Sequence, residues 1–312
     1  MGRCLFCLSY MVGSLWPLRT SAQAVPTSAP VAALSRQRAQ EILFITPPPS
    51  SLCPDGTEAE QISCLIASRY AREPLAAKSA VSLYAQSGTV LGLLPEQDFD
   101  GGYRGLLHLV PRLPIGADVR HLHWAIGALV DFEAFFKQLG GAMRYRWRAL
   151  EFRFFQSVKR RTPSAFASDW TVGYNVAGSL LGSEAGVRGT LFHEIFHLND
   201  QGHGNWSVRV LSPIYEAIVA KCGTEVKCLT PYTPDSIKVR GGTYYDFTPG
   251  NGVGEYAADI ARRYYTEHRA LWKREPAVPA FKCGNSQNAQ AWRLVVDEFF
   301  GGVDLIPPCP AK

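Results

Sequence analysis

The segment Leu191-Phe192-His193-Glu194-Ile195-Phe196-His197-Leu198 sets two histidines and a glutamate into an otherwise apolar run. The apolar positions 191, 192, 195, 196 and 198 recur at helical spacing, so this stretch is expected to be a buried helix. Ser183-Glu184 upstream offers a start for it, a capping serine followed by an acid in the first turn. Burying polar groups among apolar ones costs several kcal/mol unless they find partners, on the order of 2–7 for an unpaired neutral group. Histidines four apart lie on one helix face, one turn apart, so both imidazoles can reach a single ion. Glu194 then stands beside the ion, where it can take a proton from water. The pattern H-E-x-x-H therefore predicts a metal site at His193 and His197 with Glu194 as general base.

A catalytic zinc ion needs three protein ligands and one open position. Two residues can supply the third ligand. Glu255 sits in Gly254-Glu255-Tyr256-Ala257-Ala258-Asp259, on an expected helix at Val253–Leu271 whose alanines allow close packing against another helix. Asp259, four residues on, shares its face and can accept the N–H of a ligating histidine, as outer carboxylates do. His203 is the alternative, because His193, His197 and His203 have the spacing H-E-x-x-H-x-x-G-x-x-H, with Asp200 in the glycine's place. That arrangement also calls for a methionine turn beneath the metal. The chain's methionines are Met1, Met11 and Met143, all upstream of His203, so Glu255 is favoured.

With His193, Glu194, His197, Glu255 and Asp259 in view, the chain resembles the gluzincin branch of the zinc metallopeptidases over about residues 185–270. The resemblance implies a zincin-like α+β fold and one Zn2+ held by His193, His197 and Glu255. It also implies Glu194 as general base, Asp259 as the group that orients a histidine, and hydrolysis of a peptide or protein substrate. Gly254 stands where thermolysin-like members carry asparagine. The oxyanion of such a reaction needs a donor besides the metal. Tyr244 and Tyr245, in the Gly-rich loop before Glu255, are the candidates, with His203 behind them. The competing reading is a catalytically silent, exported binding protein on the same fold; an intact Glu194 argues against it.

The amino terminus reads as a secretory signal at residues 1–24. Arg3 precedes the apolar run Cys4–Leu18, and Ala22-Gln23-Ala24 offers a cleavage site. The expected location is therefore secreted or periplasmic. Of the 8 cysteines, Cys4 and Cys7 fall in this leader. The remaining even set reads as disulfides, and short loops close most easily. The expected pairs are Cys53–Cys64, Cys222–Cys228 and Cys283–Cys309. No other run is long and apolar enough to span a bilayer.

The formal charge is +5, and Arg3 and Arg19 leave with the leader. That balance is too mild to suggest nucleic acid. Arg144, Arg146, Arg148 and Arg153 alternate with Tyr145, Trp147, Leu150 and Phe152, which predicts a strand over 144–158 with one solvated, charged face. Residues 25–51 are rich in Pro, Ser and Ala and read as a linker or short pro-segment, leaving 52–312 as a single catalytic domain in two lobes. Further helices are expected at Asp55–Arg72, Asp118–Leu139, Val208–Lys221 and Asn288–Phe300, and further strands at Ala80–Leu94, Tyr103–Leu113 and Trp170–Val176. The expected fold is thus α+β: a mixed sheet, an active-site helix and a helical C-terminal half.

Overall fold

Local capping chemistry sets several helix boundaries. Three helices come first: α1 (Arg36–Leu43), α2 (Glu58–Arg69) and α3 (Pro74–Ser87). Ser35 caps α1 through its side chain. Thr57 and Glu60 form a reciprocal capping box at the start of α2. Pro74 opens α3, and Gly88, in the left-handed conformation, closes it. Strands β1 (Val90–Leu93), β2 (Gln97–Asp100) and β3 (Leu106–Pro111) follow, then the long helix α4 (Val119–Leu139), which stops at Gly140. Next come β4 (Glu151–Ser157), β5 (Ala165–Ser168) and β6 (Thr171–Asn175). The rest is helical: α5 (Glu184–Gly202), α6 (Trp206–Val210), α7 (Ser212–Cys222), α8 (Val226–Leu229), α9 (Val253–Lys273) and α10 (Ser286–Phe299). This computed structural model describes residues 34–101, 105–239, 241–276 and 279–310. The expected leader, 1–24, lies outside them, as do residues 25–33 of the expected linker.

The architecture is mixed α and β, with a helical second half. β4 is the centre of a six-stranded mixed sheet. It pairs in parallel with β1 and β6 on its two sides, and antiparallel with β3 beyond β1. β2 and β5 close the ends of the path, each antiparallel to its neighbour. Alternation along β4 and β6 sends Phe152, Phe154, Val172 and Tyr174 into the main core beneath the helices. Each such side chain contributes about 1.5–3 kcal/mol by leaving water. Phe155 points the other way, into a smaller cluster with Leu94, Leu107 and Leu109.

Several expected elements change. Ala80–Leu94 is not one strand: its first part belongs to α3. Ala76, Ala77 and Ala80 are small, helix-favouring and buried there, and only Val90–Leu93 is extended. Residues 36–43 are not linker, because α1 docks on the sheet with Ala39, Ile42 and Leu43 fully buried. The expected strand over 144–158 begins only at Glu151. Upstream, the backbone is committed elsewhere: Arg144 N donates to Phe299 O, Arg146 N donates to Asn199 Oδ1, and Ala149 has a φ of +52°. Nor is Arg153 on a solvated face. It is 7% exposed, and its guanidinium donates to the carbonyls of Glu41 and Leu93. The expected helix over 208–221 is two, α6 and α7, with Pro213 in the first turn of the second.

All three expected disulfides form: Cys53–Cys64, Cys222–Cys228 and Cys283–Cys309. Among the described residues, no helix is long and apolar enough to cross a membrane.

Candidate metal centre

α5 carries the first two candidate ligands, and aromatic packing fixes where it lies. Phe192 is fully buried, stacked on Tyr145 at 5.1 Å and on Tyr265 at 4.6 Å. Tyr145 also donates its hydroxyl hydrogen to Phe192 O, at 3.0 Å. One helix turn links His193 to His197, which face the cleft rather than the core. Their side chains are 12% and 22% exposed.

α9 lies against α5, bringing its first turn to the histidines. Ala257, Ala258 and Ala261 are fully buried, so the two helices approach closely, as the sequence suggested. Glu255 Oε2 lies 2.9 Å from His193 Nε2 and 3.5 Å from His197 Nε2. The two Nε2 atoms are 3.1 Å apart. These three side chains form the cluster in the described residues that could hold a metal ion. Ligands at about 2.0–2.1 Å around a tetrahedral zinc ion sit about 3.3 Å from one another. The observed edges of the triangle, 2.9 to 3.5 Å, bracket that value, so the donor set fits such an ion.

Asp259, one turn along α9, holds the other side of the His193 ring: Oδ1 lies 2.9 Å from Nδ1. With Nδ1 donating to this carboxylate, Nε2 keeps its lone pair for a metal. Arg262 Nε approaches Asp259 Oδ1 at 3.5 Å, and its other end pairs with Asp235 in the loop before α9. Burial alone would raise the Glu255 carboxyl, but in the metal-free centre, where a histidine Nε2 can carry a proton toward it, the hydrogen bonding and charge of His193 and His197 hold it well below the usual carboxylate range. Burial raises the Glu194 carboxyl, against the opposing pull of His193 and His197.

A cleft of about 560 Å³ opens over this centre. His193, Glu194, His197 and Glu255 form part of its lining, and Tyr245 another part. The sheet supplies a further part: Phe99 of β2 with Ala165, Phe166 and Ala167 of β5. No lysine or arginine is among the described residues that line it.

Two expected site residues stand elsewhere. His203 does not join the ligands. α5 continues without a turn through Asp200 to Gly202, carrying His203 to the end of the helix. There its Nδ1 lies 2.7 Å from Glu298 Oε1 and its Nε2 lies 3.2 Å from Arg144 O. Asp200 accepts from the N–H and hydroxyl of Ser207, which fixes the start of α6. Tyr244 is buried outside the cleft lining, its hydroxyl 3.0 Å from Thr230 Oγ1 and its ring beneath Lys238. Tyr245 is the tyrosine of the pair that reaches the cleft.

Sequence reasoning missed Phe99, Phe166 and the Arg262–Asp235 pair. One signal was available. Gly173 lies inside a strand, where a glycine marks a close approach by another group. A Cβ there would fall 2.4 Å from the Phe166 ring, which lies flat over it. Comparison of the chain with protein-family models, with curated proteins and with solved structures finds no match.

Proposed function

We propose that this chain is an exported, zinc-dependent peptidase in which His193, His197 and Glu255 hold the ion and Glu194 is the general base. One observation carries the reading: three ligand atoms at zinc-compatible spacing, with Glu194 lining the same cleft. Two imidazole nitrogens and one carboxylate suit zinc among the common divalent ions, and three protein ligands leave a position open. Zinc supplies Lewis acidity there, acidifying water and polarising a carbonyl.

The chain's own residues account for the rest. Glu194 accepts the proton of the attacking water and delivers it to the departing amine. Asp259 keeps His193 in one tautomer and orientation. Tyr245, which lines the cleft, is the residue we assign to the developing oxyanion. β5 ends the strand order, and its outer side pairs with no other strand among the described residues. An unpaired strand edge bordering a cleft recruits extended peptides by main-chain hydrogen bonding. That feature favours a peptide over a small-molecule substrate. The three disulfides suit an oxidising compartment, in keeping with export.

The test uses protein produced with its disulfides intact. The expected result is one equivalent of bound zinc and cleavage of an unfolded protein substrate. Glu194→Gln should keep the zinc and lose about 10²–10⁴-fold in rate, the usual contribution of a general base. A protein that binds no zinc, or a variant that cleaves as fast as the parent, would overturn the assignment.

A further inference from the structure

The part of the cleft lining that comes from the sheet has a chemical character of its own. Phe166 of β5 and Phe99 of β2 come from opposite ends of the sheet path, yet their rings stack at 5.1 Å. Phe155 adds a third ring, 5.5 Å from Phe166. Gly173 seats the Phe166 ring against the backbone of β6. Phe99 and Phe166 are only partly buried against the smaller cluster and line the cleft. A pair of rings that served only as core would be covered.

The ladder alternation fixes what an added strand would meet. The β5–β6 hairpin closes over Asp169-Trp170 at the Ser168–Thr171 pair, and Asn175 N donates to Ser164 O. Even-numbered residues of β5 therefore turn their N–H and C=O toward β6, while Ala165 and Ala167 turn theirs outward. A peptide paired on that outer edge bonds to Ala165 and Ala167. Its residue across from Phe166 falls in a non-hydrogen-bonded pair, with Cα atoms about 4.5 Å apart and side chains in close contact on one face.

We infer that Phe166 and Phe99 form an apolar subsite that selects peptides with a bulky apolar side chain at the position paired with Phe166. The inference rests on the peptidase reading above. An aromatic or branched aliphatic side chain loses water against two rings there. A carboxylate would be desolvated with no lysine or arginine among the described residues of the cleft lining to pair with it, which is costly. Acidic residues at that position should be excluded.

The test is the cleavage profile of the zinc-loaded enzyme on a mixed peptide library, read by mass spectrometry. One position relative to the cut should favour Phe or Leu over Ala by about 10-fold or more, the usual worth of such contacts, and should reject Asp and Glu. Phe99→Ala and Phe166→Ala should each lower the Phe-to-Ala ratio of kcat/KM. Phe166→Arg should shift the preference toward acidic side chains, a change that poor folding cannot imitate. Cleavage with no apolar preference at any position, or a preference that survives all three substitutions, overturns the subsite and leaves the peptidase standing. A wild-type enzyme that cleaves no peptide overturns both.

Discussion

His193 Nδ1 and Asp259 Oδ1 face each other at 2.9 Å across the junction of α5 and α9. The contact orients the imidazole, turning its Nε2 toward Glu255 Oε2 and His197 Nε2. Asp259 touches no other candidate ligand by hydrogen bond, so its effect on a metal runs through this ring. Asp259→Asn should weaken zinc binding by about 10–100-fold, as loss of outer-sphere partners does. Competition against a chelator of known affinity measures this directly. Unchanged affinity would mean that the carboxylate serves packing alone.

The third ligand separates cleanly by mutation. Glu255→Ala removes one corner of the triangle and should abolish stoichiometric zinc at micromolar concentrations. His203→Ala should leave the zinc content at one equivalent. It breaks the contact with Glu298, so the protein should lose about 1–3 kcal/mol of stability, the worth of a hydrogen bond to a charged group. Metal analysis with a denaturant melt on both variants checks the pair of outcomes, and zinc loss in His203→Ala would reopen the choice.

How much of this was readable in the sequence follows from the range of the interactions. α5 and α9 were legible because polar residues at helical spacing stood out against apolar and alanine-rich surroundings. The disulfides were legible because each closes a short loop, the longest spanning 26 residues. His203 was a plausible ligand only if the helix turned at Asp200, and the bonds from Ser207 to that aspartate, which hold the start of α6, were not visible from spacing. α3 was misread because alanine-rich runs fit either period, and tertiary packing decides. α1 was hidden by the Pro- and Ser-rich composition around it. The Phe99–Phe166 contact joins opposite ends of the sheet path, and no local pattern encodes that.

α1 owes its seat to one glycine. A Cβ on Gly92 would lie 1.9 Å from Ile42 O, a backbone atom that no rotamer change can move aside. Gly92→Ala should therefore push α1 off β1, exposing Ile42 and Leu43, which are fully buried. A loss of about 2–4 kcal/mol is expected, an overpacking cost plus part of the lost burial. Urea melts give the stability, and proteolysis near residue 45 should become faster. A variant as stable as the parent would show that α1 contributes little to the fold.

The C-terminal segment should be acid-labile, and His268 is the reason. The ring is 2% exposed, stacked 3.9 Å from Tyr264. Leu305 N donates to its Nε2 at 3.0 Å, and its Nδ1 lies 2.9 Å from Tyr264 O. This arrangement fits the neutral ring with its proton on Nδ1, because Nε2 must accept. Burial, opposed by the Tyr264 carbonyl and Asp304, lowers its pKa from 6.5 to about 4. The folded value lies below the unfolded one, so the contribution is complete above pH 6.5 and is lost as pH falls toward 4. Its size is on the order of 3 kcal/mol. The experiment compares metal-free wild type with His268→Gln, whose side chain stays neutral and can still accept from Leu305 N. Between pH 7 and pH 4.5 the wild type should lose about 2–3 kcal/mol more than the variant in urea melts. Hydrogen exchange at Leu305 should quicken over the same range in the wild type alone. Equal losses in the two proteins would place the acid sensitivity in the carboxylates instead.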